Sequence, residues 1–323
     1  MICKDYLYTN IYSAINELKL EDGSLYIYGD SQEDRSNAVI SYYTQNDIDD
    51  QVVFLKLSLD HNDLDVALDT DKNIKYNLRN PNDLGKIITN NGHKPHIIYL
   101  DISTLAERII AALMHYSHIH SHEIRIIYIS PDDYQIREFQ RAGALQDLST
   151  EINGIIPLPG FASINSDDNN IEQSKLIVFI GFEGGRFTHI YEQIDINIDN
   201  IFPVVGIPGY KIEYPFISLW SNRQVLIKSG AWRNMRYCTA NSIVDAYYQL
   251  NEITQNISEN TIIKIVPIGT KPQTIATLAF ALKHPERVEI IFDNPSITHR
   301  RTSGVGVIIE TNLKSLMTEE WDQ

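Results

Sequence analysis

Short apolar runs alternate with helix-length segments along most of the chain, the pattern that βαβ units produce. In the first half the strand-like runs are SLYIYG (24–29), QVVFLKL (51–57), HIIYLDI (96–102) and IRIIYIS (124–130). In the second half they are KLIVFIG (175–181), NIFPVVGI (200–207), TIIKIVPI (261–268) and RVEIIFD (287–293). Several are apolar almost without interruption, as expected of strands covered on both faces. Between them, TLAERIIAALMHYS (104–117) and PQTIATLAFAL (272–282) carry apolar residues at helical spacing. The run SGVGVIIET (303–311) reads as one closing strand, antiparallel to the rest.

Periodicity fails at SINSDDNNIEQS (163–174), a polar Asn/Asp-rich stretch of linker character that follows GIIPLPGFA (154–162). Two domains are therefore expected, residues 1–165 and 172–323. Overlaying the halves strengthens this. LYIYGDSQEDRS (25–36) lies without gaps on LIVFIGFEGGRF (176–187), placing Asp30 on Gly181, Asp34 on Gly185 and Arg35 on Arg186. IIYLDISTLAERIIAAL (97–113) lies on IKIVPIGTKPQTIATLA (263–279), placing Ser103 on Gly269 and Thr104 on Thr270. Each half then closes on a strand with a proline turn, YISPDD (128–133) and FDNPSI (292–297). The expected fold is α/β, two tandem Rossmann-like units with mainly parallel sheets, the second carrying anion-binding loops; a shared hydrophobic pattern alone is the simpler alternative.

In such sheets ligands bind beyond the carboxyl ends of the strands, which directs attention to two loops of the second half. In PIGTKPQT, Gly269 permits close backbone approach, Thr270 suits a helix cap and Pro272 the first turn. The helix start beside the Lys271 ammonium then suits an anion, although Gly-Thr-x-Pro is also simply a good turn with a good cap. In GFEGGRF, Gly181, Gly184 and Gly185 form a glycine-rich loop without the GxGxxG spacing. Arg186 could fork to a phosphate, and Glu183 could pair with it, bind a ribose hydroxyl or act as a base. Tyr210, Lys211 and Tyr214 follow the next strand as stacking candidates or loop anchors, with Asn222 and Arg223 beyond them.

The matching edge of the first half is acidic. Asp30 and Asp101 could together hold Mg²⁺, or either could be a general base; for either residue alone, an Asp at a strand end that caps the next helix is the simpler reading. The four histidines of HYSHIHSH (115–122) fall at a helix end away from the strand carboxyl ends and read as a helix-terminal cluster rather than a metal site.

Composition narrows the function classes. The 323 residues are 43% hydrophobic and 21% charged, with a formal net charge of −15. A chain this acidic, without a basic stripe, disfavours duplex nucleic acid as principal partner, and Arg300–Arg301 is the nearest approach to one. No run approaches the roughly 20 apolar residues of a membrane span, and MICKDYLYTN lacks the pattern of a secretion signal. Cys3 and Cys238 are far apart and form no metal or disulfide pattern, so a cytoplasmic setting is expected.

The segment PIGTKPQTIATLAFAL resembles the Gly-Gly-Thr-Lys signature of the CARF (CRISPR-associated Rossmann-fold) ligand-sensing domains, with Ile268 where that signature has its first glycine. The chain as a whole is similar to bacterial two-domain α/β proteins. The resemblance implies that Gly269, Thr270 and Lys271 bind a nucleotide second messenger. The expectation is a sensor or regulated component of a bacterial defence or stress system that binds a nucleotide or other phosphorylated small molecule, with room for a protein partner. The alternative is a hydrolase or transferase acting on a nucleotide or phosphosugar, with Asp30, Asp101 or Glu183 as base or metal ligand, and whether a reaction is catalysed stays open.

Overall fold

A computed structural model describes residues 5–29, 31, 33–48, 52–59, 64–68, 71–89, 92–134, 149–152, 154–161, 174–194, 196–297 and 302–318. The chain divides into two compact units, one of residues 6–135 with 299–320, the other of residues 136–298. Both are α/β.

The first unit is built from strands β1 (Thr9–Tyr12), β2 (Leu25–Gly29), β3 (Val53–Leu59), β4 (Asp65–Leu68), β5 (Asp71–Asn77), β6 (Ile97–Asp101) and β7 (Glu123–Ile129), with helices α1 (Ala38–Gln45), α2 (Pro81–Ile88) and α3 (Glu107–Ile119). A short strand β8 (Asp133–Tyr134) ends this part of the chain. The second unit contains β9 (Ser149–Ile152), β10 (Lys175–Ile180), β11 (Ile201–Gly206), β12 (Arg236–Cys238), β13 (Ile263–Pro267), β14 (Val288–Ile290) and β15 (Pro295–Ile297). Its helices are α4 (Gly184–Gln193), α5 (Tyr214–Lys228), α6 (Ile243–Thr254) and α7 (Lys271–Lys283). The chain then returns to the first unit as β16 (Thr302–Ser303), β17 (Ile308–Asn312) and α8 (Leu313–Thr318).

The sheet of the first unit runs β1-β17-β7-β6-β2-β3-β4-β5. Its four central strands, β7, β6, β2 and β3, are parallel, and both flanks are antiparallel. Tyr26, Tyr28, Val39 and Tyr43 pack with Tyr99, Ile127, Ile129 and Ile308 into one core, so α1 covers one face of the parallel strands. The closing strand expected at 303–311 is present as β17, antiparallel as expected, but it pairs with β7 and β1. It therefore belongs to the first unit and not to a 172–323 segment. A buried carboxylate fixes it there: Glu310 accepts from the Tyr12 hydroxyl at 2.6 Å and from Arg125 at 3.3 Å. Burial first, and then Glu310, push the Tyr12 hydroxyl's pKa well above its ordinary value.

The other end of the expected boundary shifts as well. Residues 149–161 lie with the second unit, because β9 pairs with β15 and Ile156 bridges to Phe292. Most of the expected linker, with Asp30, Arg300 and Arg301, lies outside the described residues.

The second sheet runs β12-β11-β10-β13-β14 and is parallel throughout. Strand order therefore moves outward from β10 through β11 to β12, then crosses back to β13 and β14. Right-handed crossovers put α4 and α5 on one face and α6 and α7 on the other. Leu176, Val178 and Ile180 of β10 accordingly share a core with Phe187 and Ile190 of α4 and Val225 and Leu226 of α5. Helix α7 is buried along its length from Pro272 to Leu282, which explains its Ala/Thr/Leu/Phe content and lack of a polar face.

A chain ending at residue 298 would leave β1 without a neighbour and the long edge of β7 open. That truncation is expected to abolish the cooperative unfolding transition of the first unit while the second unit keeps its own, as read by calorimetry and amide exchange.

Candidate functional site

The direction of strand order reverses between β10 and β13, and in α/β sheets the crevice at such a point is the usual ligand site. The loops that meet there are Gly181–Glu183, after β10, and Ile268–Thr270, after β13. These are the two loops singled out in the sequence, and the structure brings them into direct backbone contact. A Cβ on Gly181 would lie 2.6 Å from the Ile268 carbonyl oxygen, so only glycine lets the loops close. Gly184 has a different reason: a side chain there would meet the Ser221 carbonyl oxygen at 1.9 Å, in the contact between α4 and α5. Both glycines thus serve packing first.

Arg186, in the first turn of α4, is held by carboxylates. Its Nε donates to Asp293 Oδ2 at 2.7 Å and its Nη2 to Asp293 Oδ1 at 2.6 Å, a bidentate fork. Nη1 donates to Glu183 Oε2 at 3.3 Å. Asp293 is 0% exposed and sits just past β14. The helix-start pair of Glu183 with Arg186 is therefore real, but the stronger partner is one that sequence reading passed over. Its signal was present: Asp293 ends an apolar run at a strand's carboxyl edge, as Asp101 does.

The start of α7 satisfies itself. Thr270 N–H donates to Gln273 Oε1 at 2.8 Å in a capping box, and the Thr270 hydroxyl donates to the Ala240 carbonyl at 2.6 Å. Gln273 is fully buried, and its Nε2 donates to Cys238 Sγ at 3.3 Å. Burial raises the pKa of the Cys238 thiol to about 12, so it stays protonated. A Cβ on Gly269 would run into Gln273 Oε1, so a side chain there would displace the amide that holds the Thr270 N–H. Lys271 occupies the first helical position, half-buried.

The start of α4 is different. Its N-cap residue, Glu183, turns its side chain to Arg186 and makes no cap hydrogen bond to the Gly184–Gly185 start. Asn222 backs this loop: its Nδ2 donates to Gly181 O and to Ser218 O, both at 2.8 Å, while its buried Oδ1 has no hydrogen-bond partner among the described residues. The neighbouring loops close around the edge. Tyr210 OH donates to the Ala240 carbonyl at 3.4 Å, and the Phe182 ring meets Tyr214 edge-on at 5.2 Å. Tyr214 and Lys211, 5.9 Å from ring centre to ammonium, serve as loop anchors.

In the first unit the corresponding arginine repeats the theme with different acceptors. Arg35 forks onto Glu33 at 2.8 and 3.0 Å and donates to the Ile129 carbonyl at 2.8 Å. Burial alone would lower its pKa, but Tyr128, Tyr134 and Glu33 together raise it, so it is firmly charged. Asp101 is buried, accepting from Tyr26 OH at 2.8 Å and from Ser103 N at 2.9 Å. It thus closes a short turn and does not cap α3, whose N-cap is Ala106. Asp34 accepts from Gly304 N at 2.8 Å. Among the described residues, no group of three or more His, Cys, Asp or Glu side chains could hold a metal. Of the histidines of 115–122, His120 and His122 lie against the Tyr116 ring, at 4.1 and 6.2 Å between ring centres.

At the opposite, amino edge of the second sheet a depression of about 510 Å³ is lined by Lys175, Phe202, Arg236, Glu252, Asn256 and Thr261. Its cations already have acceptors, Lys175 in Asn200 Oδ1 and Arg236 in the carbonyls of Asn234 and Met235.

The sequence matches no protein-family model and no curated protein.

Two consequences can be measured. Breaking the buried pair by Arg186→Ala or Asp293→Ala strands a charge, with an expected loss of about 3–5 kcal/mol in urea unfolding. The double variant R186L/D293L is expected to lose much less than the sum of the single changes. Asp101 gives a pH signature: burial raises its pKa despite the hydrogen bonds from Ser103 and Tyr26. A raised folded pKa means that the native state holds the proton more tightly than the unfolded chain does. Its contribution to stability is then full below the unfolded pKa and declines as pH rises through the folded pKa. Relative to D101N, the wild type should lose stability as pH increases upward from about 4, seen as a falling urea midpoint.

Proposed function

We propose that the second unit binds a nucleotide or other phosphorylated small molecule at the carboxyl edge of its sheet, as a sensor or ligand-regulated component of a bacterial defence or stress system. The observation that carries the reading is the glycine start of α4, which its N-cap residue Glu183 does not cap, at the point where strand order reverses. Backbone N–H groups and the positive end of the helix dipole favour phosphate there. Lys271 lies at the start of α7, the helix that follows the adjoining strand β13, and adds positive charge to the same edge. Arg186 contributes by orienting α4, since its fork is committed to Asp293. Gly269 and Thr270 shape the adjoining turn.

A finer reading of the fold goes with this. Strands β3-β2-β6-β7 and β11-β10-β13-β14 have the same order of appearance, with β12 added at one edge of the second sheet. Arg35 bonds Ile129 and Arg186 bonds Asp293, positions that coincide when YISPDD is laid on FDNPSI. Both facts support two tandem Rossmann-like units, of which the second keeps the ligand edge. The hydrolase or transferase alternative has less support, because Asp101 and Glu183 are already tied to neighbouring groups.

Thermal unfolding with a panel of mono-, di- and cyclic nucleotides, and inorganic phosphate, tests the binding. At a hundredfold excess over Kd a ligand adds about 2.7 kcal/mol, an upward shift of roughly 5–10 °C for a unit of this size. Lys271→Ala should weaken the response. Gly185→Pro, which removes one N–H in a first turn that tolerates proline, should do the same without lowering the unliganded Tm. No shift with any of these probes would end the proposal.

A further inference from the structure

Helix α5 carries apolar residues on two faces. Tyr214, Ile217, Val225 and Leu226 are buried, as expected of the face over the sheet. On the other side Phe216 is 68% exposed, Trp220 49% and Ile227 73%. Arg223 stands between them, its guanidinium 4.0 Å from the centre of the Trp220 ring and its Nη1 donating to Trp220 O at 2.7 Å. Positions 216, 220, 223 and 227 are spaced by four, three and four residues. At 100° per residue they fall within an arc of about 60° along some 16 Å of helix. This is the narrow seam of a two-helix pairing, not the broad face of a helix lying against a sheet.

We infer that this seam pairs two copies of the chain, α5 against α5, antiparallel about a two-fold axis between residues 221 and 222. The pattern is complementary to itself in that one register: Phe216 meets Ile227 of the second copy, and Trp220 meets its Arg223, each pair occurring twice. A two-fold interface must match its own patch in this way. The Trp–Arg layer extends the stacking already present within the chain, and Trp and Arg are the side chains that dominate interface energies. At the ends, Glu213 of one copy comes to nearly the level of Lys228 of the other, opposite charges at the rim. Covering both stripes removes on the order of 1,000 Å², the low end for a specific pair, so dissociation is expected at micromolar concentrations.

Sedimentation equilibrium of the full chain from about 1 to 100 µM would bracket a micromolar dissociation constant and show a monomer–dimer equilibrium. Phe216→Glu and Ile227→Lys should each shift it to monomer, by at least tenfold in dissociation constant, with the Tm unchanged at concentrations below the wild-type dissociation constant because both positions are exposed in the monomer. The double variant F216E/I227K should regain the dimer, since the register places each new carboxylate against a new ammonium, and that recovery should weaken with salt. A monomer at every concentration, a dimer indifferent to the single changes, or a double variant no better than either single would overturn the inference. So would a monomer that binds anionic phosphatidylserine vesicles through Phe216, which would assign the stripe to a lipid surface.

Discussion

The carboxyl edge of the second sheet depends on one buried ion pair. Taking a carboxylate and a guanidinium out of water costs several kcal/mol per ion, and only good geometry with additional hydrogen bonds offsets that. Arg186 meets the requirement with a two-point fork to Asp293 and a third bond to Glu183. The fork ties the start of α4, which follows the central strand, to the end of β14, two strands away. Glycine at 181 then becomes obligatory, because the loops brought together leave no room for a side chain. The same pair also draws the Glu183 side chain off the helix end, so that it does not cap the first turn of α4. A capping acid and an arginine partner are competing uses of one carboxylate, and here the arginine prevails.

Neighbouring helix starts have thus been given opposite treatments. At the start of α7 the Thr270 N–H is taken by Gln273 Oε1 and the Thr270 hydroxyl by the Ala240 carbonyl, while Gln273 also donates to Cys238. Such a start is rigid and has little left to offer an incoming anion beyond the dipole and Lys271. α4 has glycine amides that Glu183 does not cap. The glycine-threonine-lysine turn, which dominates a reading of the sequence, is accordingly the wall of the proposed site, and the plainer triple-glycine loop is its floor.

What could be read from the sequence follows from what is local. The parallel strands were legible because strands covered on both faces must be apolar nearly throughout, and their helices showed through a three-to-four spacing. The hairpin of β4 and β5 was not, since DVAL and DKNIKYN mix polar and apolar residues without a decisive period. The partner of β17 was not legible either: its apolar run announced a strand, but pairing it with β7 and β1 joins residues about 180 and 300 apart. Arg186 was visible as a cation at a helix start, while Asp293 looked like the end of a strand, because nothing local marks two residues 107 apart as partners. The exposed stripe of α5 escaped for a related reason. Apolar residues on opposite faces cancel one another's periodicity, so a helix that is apolar twice over shows no amphipathic signal.

That double character gives α5 a place in both halves of the functional reading. Its inner side supports the α4 start directly, with the Ser221 carbonyl filling the space that a side chain on Gly184 would need and Asn222 holding the Gly181 carbonyl. Its outer side carries the seam, about one helix diameter, some 10 Å, from those contacts. Any shift of α5 that accompanies pairing would be felt first at the Asn222 bond to the Gly181 carbonyl and at the packing of Ser221 on Gly184. By linkage, if pairing changes the affinity of the proposed site for phosphate, phosphate changes the pairing by the same free energy. A rigid helix with a loop on one side and a self-complementary seam on the other is a sufficient physical basis for such coupling, and it needs no communication between the two units.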